Sequence, residues 1–294
     1  MNDNSKPNRE TIFAEQAEIL EHQHFDGQQH ILRVRAPQTA SRARAGSFAH
    51  IQCHPLRPLR RPISIMQVLA QQGEVVFLYK AFGAGTRLLA ERQVGENLDL
   101  LGPIGKPFEL HAERPRPLLI GGGVGMPPMV FLADSLRQQQ PDFIPMMILG
   151  SEVPFPFTAR PSEIMPPGMP DGVIATMPLM DDWNIACRLT STQGYPGVFQ
   201  GYVTELARHW LDALSPEQQQ QVEVFACGPH PMLEAVAQLA KDYALPCQVS
   251  LEEFMACGVG GCAGCVVQVQ TESGPAMQRV CVDGPVFEAS RVFG

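Results

Sequence analysis

"CGVGGCAGC", residues 257–265, puts three cysteines into nine positions with four glycines between them. A packed core has no use for so many thiols beside so little side chain, so the stretch reads as a loop wrapped around something. With Cys281 added, the pattern over Cys257, Cys262, Cys265 and Cys281 is Cys-x4-Cys-x2-Cys-x15-Cys. That is the plant-type spacing in which four thiolates hold a [2Fe–2S] cluster. Gly258, Gly260, Gly261 and Gly264 allow the tight path, because glycine accepts positive φ and leaves room for inorganic sulfide. Their N–H groups are also available to hydrogen-bond sulfur. A structural zinc site pairs its ligands as two Cys-x2-Cys knuckles, which the x4 spacing fits poorly. A disulfide framework is disfavoured in a reducing compartment.

Working outward, the chain of 294 residues carries 45% hydrophobic and 18% charged residues, a globular composition long enough for two or three domains. Its net charge of -8 argues against nucleic acid, which needs clustered Lys and Arg. The one basic knot, "RPLRRP" (57–62), is too short to change that. The opening "MNDNSKPNRE" lacks the apolar core of a secretory signal, and no apolar run nears the ~18 residues of a membrane span. A soluble cytoplasmic protein is expected. Cys53 and Cys187 read as ordinary buried or surface thiols, and Cys247 as core. His22 and His24, two apart, share a strand face; surface histidines are the simpler reading and a metal role the sharper one.

Residues 10–112 hold short strand-like runs: "TIFAEQAEIL", "QHILRVRA", "GSFAHIQC", "RPISIMQV" and "GEVVFLYK", separated by turn residues. They predict an antiparallel β-barrel. "ELHAERPRP" (109–117) reads as a linker. From 113 to 245 strands alternate with helices: "PLLIGGG", "PPMVFLADSLRQQQ", "FIPMMILG", "GVIATM" as a third strand, "YVTELARHWLDAL", "QVEVFACG" and "PHPMLEAVAQLAKDYA". This predicts an α/β unit with a parallel sheet. The Pro-rich segment 151–190 resists assignment, and the Gln runs at 138–140 and 218–221 are placed at exposed helix ends. Residues 246–294 form a third, small unit around the cysteine loop.

Four further motifs carry chemistry. "RPIS" puts Arg61 and Ser64 three apart on a strand, an Arg suited to a pyrophosphate and a Ser to a flavin edge. Strict alternation would put them on opposite faces, so a bend is expected. "YKAFGAGTRLLAERQ" runs from Tyr79 and Lys80 into Gly83, Gly85 and Thr86, a glycine turn opening a helix with Thr86 as its N-cap; a plain capping turn is the bland alternative. "IGGGVGMPPM" places Gly121, Gly122, Gly123 and Gly125 where a strand meets a helix. Met126 stands where the Rossmann fingerprint has its last glycine. "ACGPHPM" ends another strand at Cys227, Gly228 and Pro229. Two such turns at the ends of parallel strands line one crevice.

Arg61-Pro62-x-Ser64, Gly83-x-Gly85-Thr86, "LGPIGKPF", "GGGVG", "CGPHPM" and the cysteine loop occur in that order, and the ending "SLEEFMACGVGGCAGC…RVCVDGPVF" carries the most specific part of the resemblance. Over roughly residues 10–294 the chain resembles the ferredoxin–NADP⁺ reductase superfamily and, within it, the electron-transfer subunits of dihydroorotate dehydrogenase. The resemblance implies an FAD-binding barrel, an NAD(P)-binding domain and a [2Fe–2S] domain. Arg61, Pro62 and Ser64 would contact FAD, with Tyr79 and Lys80 beside them, and Gly83 to Thr86 would hold its pyrophosphate. Gly121 to Gly125 would meet the dinucleotide, and Cys227, Gly228 and Pro229 would lie beside the nicotinamide.

Relatives often carry two acidic residues where this chain has Ser191 and Thr192, which leaves NAD or NADP open. Glu152, after "MMILG", leans toward NAD or is a solvated loop residue. The scheme demands no acid–base catalytic residue. A dihydroorotate-oxidising barrel needs about 250 residues of its own, so the resemblance implies a separate FMN-containing partner in a hetero-oligomer, serving pyrimidine biosynthesis. The alternatives are an NAD(P)H-dependent reductase for a ferredoxin- or hydrogenase-linked partner, and a non-catalytic redox sensor.

Overall fold

The computed structural model describes residues 11–140 and 142–294; the segment read above for a secretory signal, residues 1–10, lies outside them. Six strands close an antiparallel barrel in the order β1-β2-β5-β4-β3-β6. They are β1 (Phe13–Phe25), β2 (Gln29–Arg35), β3 (Phe48–Ile51), β4 (Arg61–Leu69), β5 (Glu74–Lys80) and β6 (Asn97–Ile104), with short helices α1 (Pro37–Arg42) after β2 and α2 (Ala84–Ala90) after β5. The β6 strand, "NLDLLGPI", went unread in the sequence, yet it closes the barrel by pairing with both β1 and β3. Ile19, Leu32, Ile65, Phe77, Leu89 and Leu100 are fully buried in the core. Each such side chain contributes roughly 1.5–3 kcal/mol relative to an exposed one.

The second layer begins with β7 (Arg116–Gly122), α3 (Met126–Gln139) and β8 (Met146–Gly150), then a two-stranded ribbon of β9 (Arg160–Pro161) and β10 (Ala175–Thr176). It continues through α4 (Pro178–Asp182), β11 (Ala186–Ser191), β12 (Phe199–Gln200), α5 (Val203–Asp212), α6 (Pro216–Gln219), β13 (Val222–Cys227), α7 (His230–Asp242) and β14 (Cys247–Ser250). A hairpin of β15 (Val266–Thr271) and β16 (Gly274–Arg279), then β17 (Val286–Glu288) and α8 (Ala289–Phe293), complete the chain. The large sheet has the order β12-β11-β8-β7-β13-β14-β17. Its strands are parallel except β17, which runs antiparallel to β14. The order reverses between β7 and β13, the switch point where open α/β sheets bind ligands.

Two sequence expectations change. "GVIATM" is not a sheet strand: only Ala175–Thr176 pairs, and with the ribbon strand Arg160–Pro161. The third sheet strand is β11, "ACRLTS", hidden in the sequence by Arg188 in its middle. The unit beginning at 246 also fails to separate cleanly. Cys247–Ser250 and Val286–Glu288, from either side of the cysteine loop, both join the large sheet. The loop and its hairpin are therefore inserted at the sheet's edge.

Helix α3 explains how barrel and sheet hold together. Met126 to Ala133 are all buried, because the helix is packed on β7 on one side and β4 of the barrel on the other. A helix apolar all round needs cover all round. The linker adds a polar clamp. Glu109 exchanges two hydrogen bonds with Gln248, whose Nε2 also donates to the buried Glu223, and His111 reaches the same carboxylate at 2.9 Å.

Arg188 organises the Pro-rich segment. It is fully buried, and its guanidinium donates to the carbonyls of Val173 (3.0 Å), Cys187 (2.7 Å) and Ile164 (2.7 Å). The irregular backbone thus folds around one side chain, which satisfies the carbonyls of Val173 and Ile164 outside any strand. Arg188→Met should destabilise the protein by on the order of 3 kcal/mol, the cost of stranding buried acceptors. Denaturant melts and limited proteolysis of segment 155–175 measure this; an unchanged midpoint and cleavage pattern would remove Arg188 from that role.

Candidate functional site

The barrel end of the site is built on β4. Its pairing with β3 is regular from Ile51↔Arg61 to Phe48↔Ser64, and the irregularity with β5 comes later, between Ile65 and Gln67. No register shift separates Arg61 from Ser64, so strand alternation sets them on opposite faces. Of two adjacent arginines, Arg60 is neutralised by Asp99 at 2.6 Å. Arg61 has no carboxylate partner among the described residues; its Nη1 donates to the carbonyls of Leu59 and Arg60. The guanidinium lies over Gly85, where a Cβ would come within 2.9 Å of Nε. The two motifs therefore meet, and a free cation faces a backbone stripped of side chain. That pairing suits an anionic diphosphate.

Gly83, not Thr86, is the N-cap of α2. Thr86 is the third helical residue, its hydroxyl folded back onto the Gly83 amide and carbonyl at 3.2 Å. Phe82, unremarked in the sequence, leaves its ring 68% exposed beside this turn. Lys80 is half-buried, while Tyr79 is buried with its hydroxyl 2.8 Å from His22 Nε2.

The glycine turns at the switch point touch each other. Cys227 of β13 is paired with Gly121 of β7. A Cβ on Gly125 would overlap the Cys227 carbonyl and the Gly228 nitrogen, and one on Gly122 would strike Met232 and approach Pro229. Gly123 adopts φ +55, the left-handed region that favours glycine. The glycines are thus needed for close backbone approach even without the fingerprint's final residue. The turn Gly123–Gly125 also packs against β5 of the barrel, so the crevice opens beside the Arg61 cradle. Burial pushes the Cys227 thiol well above its ordinary value, so it is a neutral packing group. Glu152, after β8, is exposed.

The four cysteines converge as two pairs. Hairpin register sets Val266 opposite Arg279, and the Val280 amide donates to the Cys265 carbonyl at 2.9 Å, so Cys265 and Cys281 become neighbours despite fifteen intervening residues. Burial, and then the hydrogen bond its thiol shares with Cys265, push Cys281 up. Cys257 and Cys262 form the outer pair. Burial raises Cys257, but the amides of Val259 and Cys262, the Cys262 thiol and the Gly261 amide aimed at its sulfur outweigh that and bring it down to about 7. Amides directed at sulfur, with a buried thiol pair behind, make a donor set that an iron centre stabilises as thiolates. Gly258 and Gly260 take φ +68 and +80, as the tight path requires; Ala263 does so too, at φ 52. Arg279 holds the loop to the hairpin through the Gly260 carbonyl at 3.1 Å and Asp283 at 3.2 Å.

His50, on β3, was missed. It is 1% exposed, and a Cβ on Gly258 would sit 2.7 Å from its Nδ1. The cysteine loop therefore rests directly on the barrel. Nothing in an alternating strand marks such a residue in advance.

Known proteins align with this arrangement. The sequence model for the iron-sulfur cluster binding domain of dihydroorotate dehydrogenase B matches residues 252–293. The electron transfer subunit of dihydroorotate dehydrogenase B (NAD(+)) from Caldanaerobacter subterraneus subsp. tengcongensis is 32% identical over 84% of this chain and 86% of its own. That of Geobacillus thermodenitrificans is 34% identical over the same shares. Among solved structures, an NADH-dependent reduced ferredoxin-NADP oxidoreductase superposes with TM-score 0.75 at 24% identity, covering 95% of this chain and 90% of that one. Phthalate dioxygenase reductase superposes with TM-score 0.56 at 16% identity, over 90% and 76%. These two show the shared fold.

Cys262→Ser should abolish the iron signature while leaving the barrel folded. Iron content and visible absorption of anaerobically prepared protein test it; unchanged iron would remove Cys262 from the ligand set.

Proposed function

The chain belongs to the dihydroorotate dehydrogenase B electron transfer subunit family, and from that premise we propose that it relays electrons from a dihydroorotate-oxidising partner to NAD⁺ in pyrimidine biosynthesis. The net reaction converts dihydroorotate and NAD⁺ to orotate, NADH and a proton. When bound, nicotinamide takes a hydride, FAD exchanges both hydride and single electrons, and the [2Fe–2S] cluster carries one electron at a time.

One observation carries the reading. Gly258 of the cysteine loop packs on His50, and His50 pairs with Pro62, the residue after Arg61. The loop is one strand away from the free arginine, while the glycine crevice opens on the barrel's β5 side. The strand order thus sets the cysteine loop on one side of Arg61 and the glycine crevice on the other, so these residues would hold a flavin between the one-electron and the two-electron carrier.

The chain's own residues bind and position. We assign Arg61 and the Gly83–Thr86 turn to the FAD diphosphate, with Pro62, Ser64, Tyr79 and Lys80 around the flavin. Gly121, Gly122, Gly123 and Gly125 admit the dinucleotide backbone, and Cys227, Gly228 and Pro229 form the floor beside the nicotinamide. NAD rather than NADP accords with the exposed carboxylate of Glu152, which can accept from a ribose hydroxyl and repel a 2′-phosphate. Cys257, Cys262, Cys265 and Cys281 hold the cluster, the first pair facing outward and the second inward. The working units follow the sheet: the barrel to 112, the α/β unit from 113 with Cys247–Ser250 and Val286–Glu288, and the cluster insertion between those strands.

An FMN-containing catalytic subunit would dock where the cluster is most accessible. Cys262 is exposed, with Phe254 90% and Val259 47% exposed on either side of Cys257. A hetero-oligomer in the cytoplasm suits eight cysteines of which none is paired in a disulfide; no helix among the described residues is long and apolar enough to cross a membrane.

Anaerobic purification from the host should bring down a flavoprotein partner, and the pair should form NADH from dihydroorotate and NAD⁺. A partner without dihydroorotate-dependent NADH formation would refute the assignment. Arg61→Ala should lose most of its FAD on dialysis, measured as flavin absorbance per chain; full retention would refute the diphosphate role.

A further inference from the structure

At the end of the barrel where β1 turns into β2, three histidines meet. His24 and His30 are cross-strand partners, and His22 shares their face two residues earlier. The ring centroids lie 4.6 Å apart for His24 and His30, 4.9 Å for His22 and His24, and 5.7 Å for His22 and His30. One nitrogen from each ring falls within 4.8 Å of the other two. We propose that His22, His24 and His30 form a binding site for one divalent transition-metal ion of the zinc type.

Each ring is prepared differently for that role. His22 Nδ1 lies 2.9 Å from the Arg92 carbonyl. A carbonyl only accepts, so Nδ1 carries the hydrogen and Nε2 holds the lone pair. That is the tautomer of a metal ligand oriented by a backbone carbonyl. His22 Nε2 now accepts from the Tyr79 hydroxyl at 2.8 Å, a bond that an ion taking that lone pair would displace. His30 is 7% exposed, and its Nδ1 has no hydrogen-bond partner. A buried imidazole nitrogen left without a partner costs free energy unless something else satisfies the ring. Its face stacks on Tyr79, with centroids 5.0 Å apart, which fixes the ring plane. His24 is exposed, so the group opens to solvent and an ion has an entry path.

Burial keeps protons off the two inner rings. Burial, then the charge of His24 and of His22, lowers His30 to about 4. Burial also lowers His22, outweighing its hydrogen bond to Arg92. At neutral pH both rings present lone pairs. The donor set is three imidazoles with no carboxylate, which suits Zn²⁺, Ni²⁺ or Cu²⁺ and not Ca²⁺ or Mg²⁺. Three histidines with one side open match the pattern of a zinc site that keeps an exchangeable position.

The site lies at the far end of β5 from its first residue, beside Tyr79 and Lys80, so an occupying ion would stiffen the strand end that leads into the Gly83–Thr86 turn. The binding claim is independent of what that turn holds.

Zinc chloride titrated calorimetrically into the cluster-loaded protein, in a non-coordinating buffer, tests it. One Zn²⁺ should bind per chain with iron content unchanged. His24→Ala, a change at an exposed position, should weaken binding by more than ~10-fold while iron and flavin content stay as in the parent. His30→Gln should do the same. No zinc uptake, or uptake that His24→Ala leaves unaltered, would overturn the proposal, the latter by placing zinc on the cysteines or another histidine.

Discussion

The burial of α3 is the constraint on which the rest of the arrangement depends. This helix has no exposed apolar face to spare, because β7 covers one side and β4 the other. Its N-terminus is the glycine turn at the switch point, and β4 is the strand that carries Arg61. Packing one helix between two layers therefore fixes the distance between the crevice and the cradle. A looser, more polar helix would leave barrel and sheet free to move against each other, as intra-chain interfaces commonly are.

The cysteine loop is held by a second device. The chain leaves the sheet at Ser250, circles the cysteines, forms the β15–β16 hairpin and returns as β17 beside β14. Both ends of the insertion are thus hydrogen-bonded into the same sheet, and His50 supports its inner side from the barrel. The loop itself needs little hydrophobic core. Its geometry comes from hairpin register, from Arg279 and from amides directed at sulfur, interactions that are short-ranged and directional.

Much of this was legible in the sequence. The cysteine spacing announced its own chemistry, and the glycine turns fell where strand met helix. What escaped detection shares a physical reason: it depended on partners far away in the chain. The β6 strand is ordinary until β1 and β3 flank it. "ACRLTS" hides as a sheet strand because Arg188 is satisfied by carbonyls of a ribbon that local patterning cannot foresee. Arg61 and Ser64 were expected to share a face, but the regular register keeps them apart, and the long arginine side chain reaches Gly85. His22 and His24 read as surface residues because His30 joins them only when β1 and β2 pair.

The account stands or falls on whether the three sites work as one relay. Purified protein carrying FAD and iron should be mixed anaerobically with NADH while flavin absorbance and the electron paramagnetic resonance of the cluster are followed together. The account predicts that the signal of the reduced cluster rises as the flavin bleaches. Flavin reduction by NADH with a cluster that stays silent would contradict it.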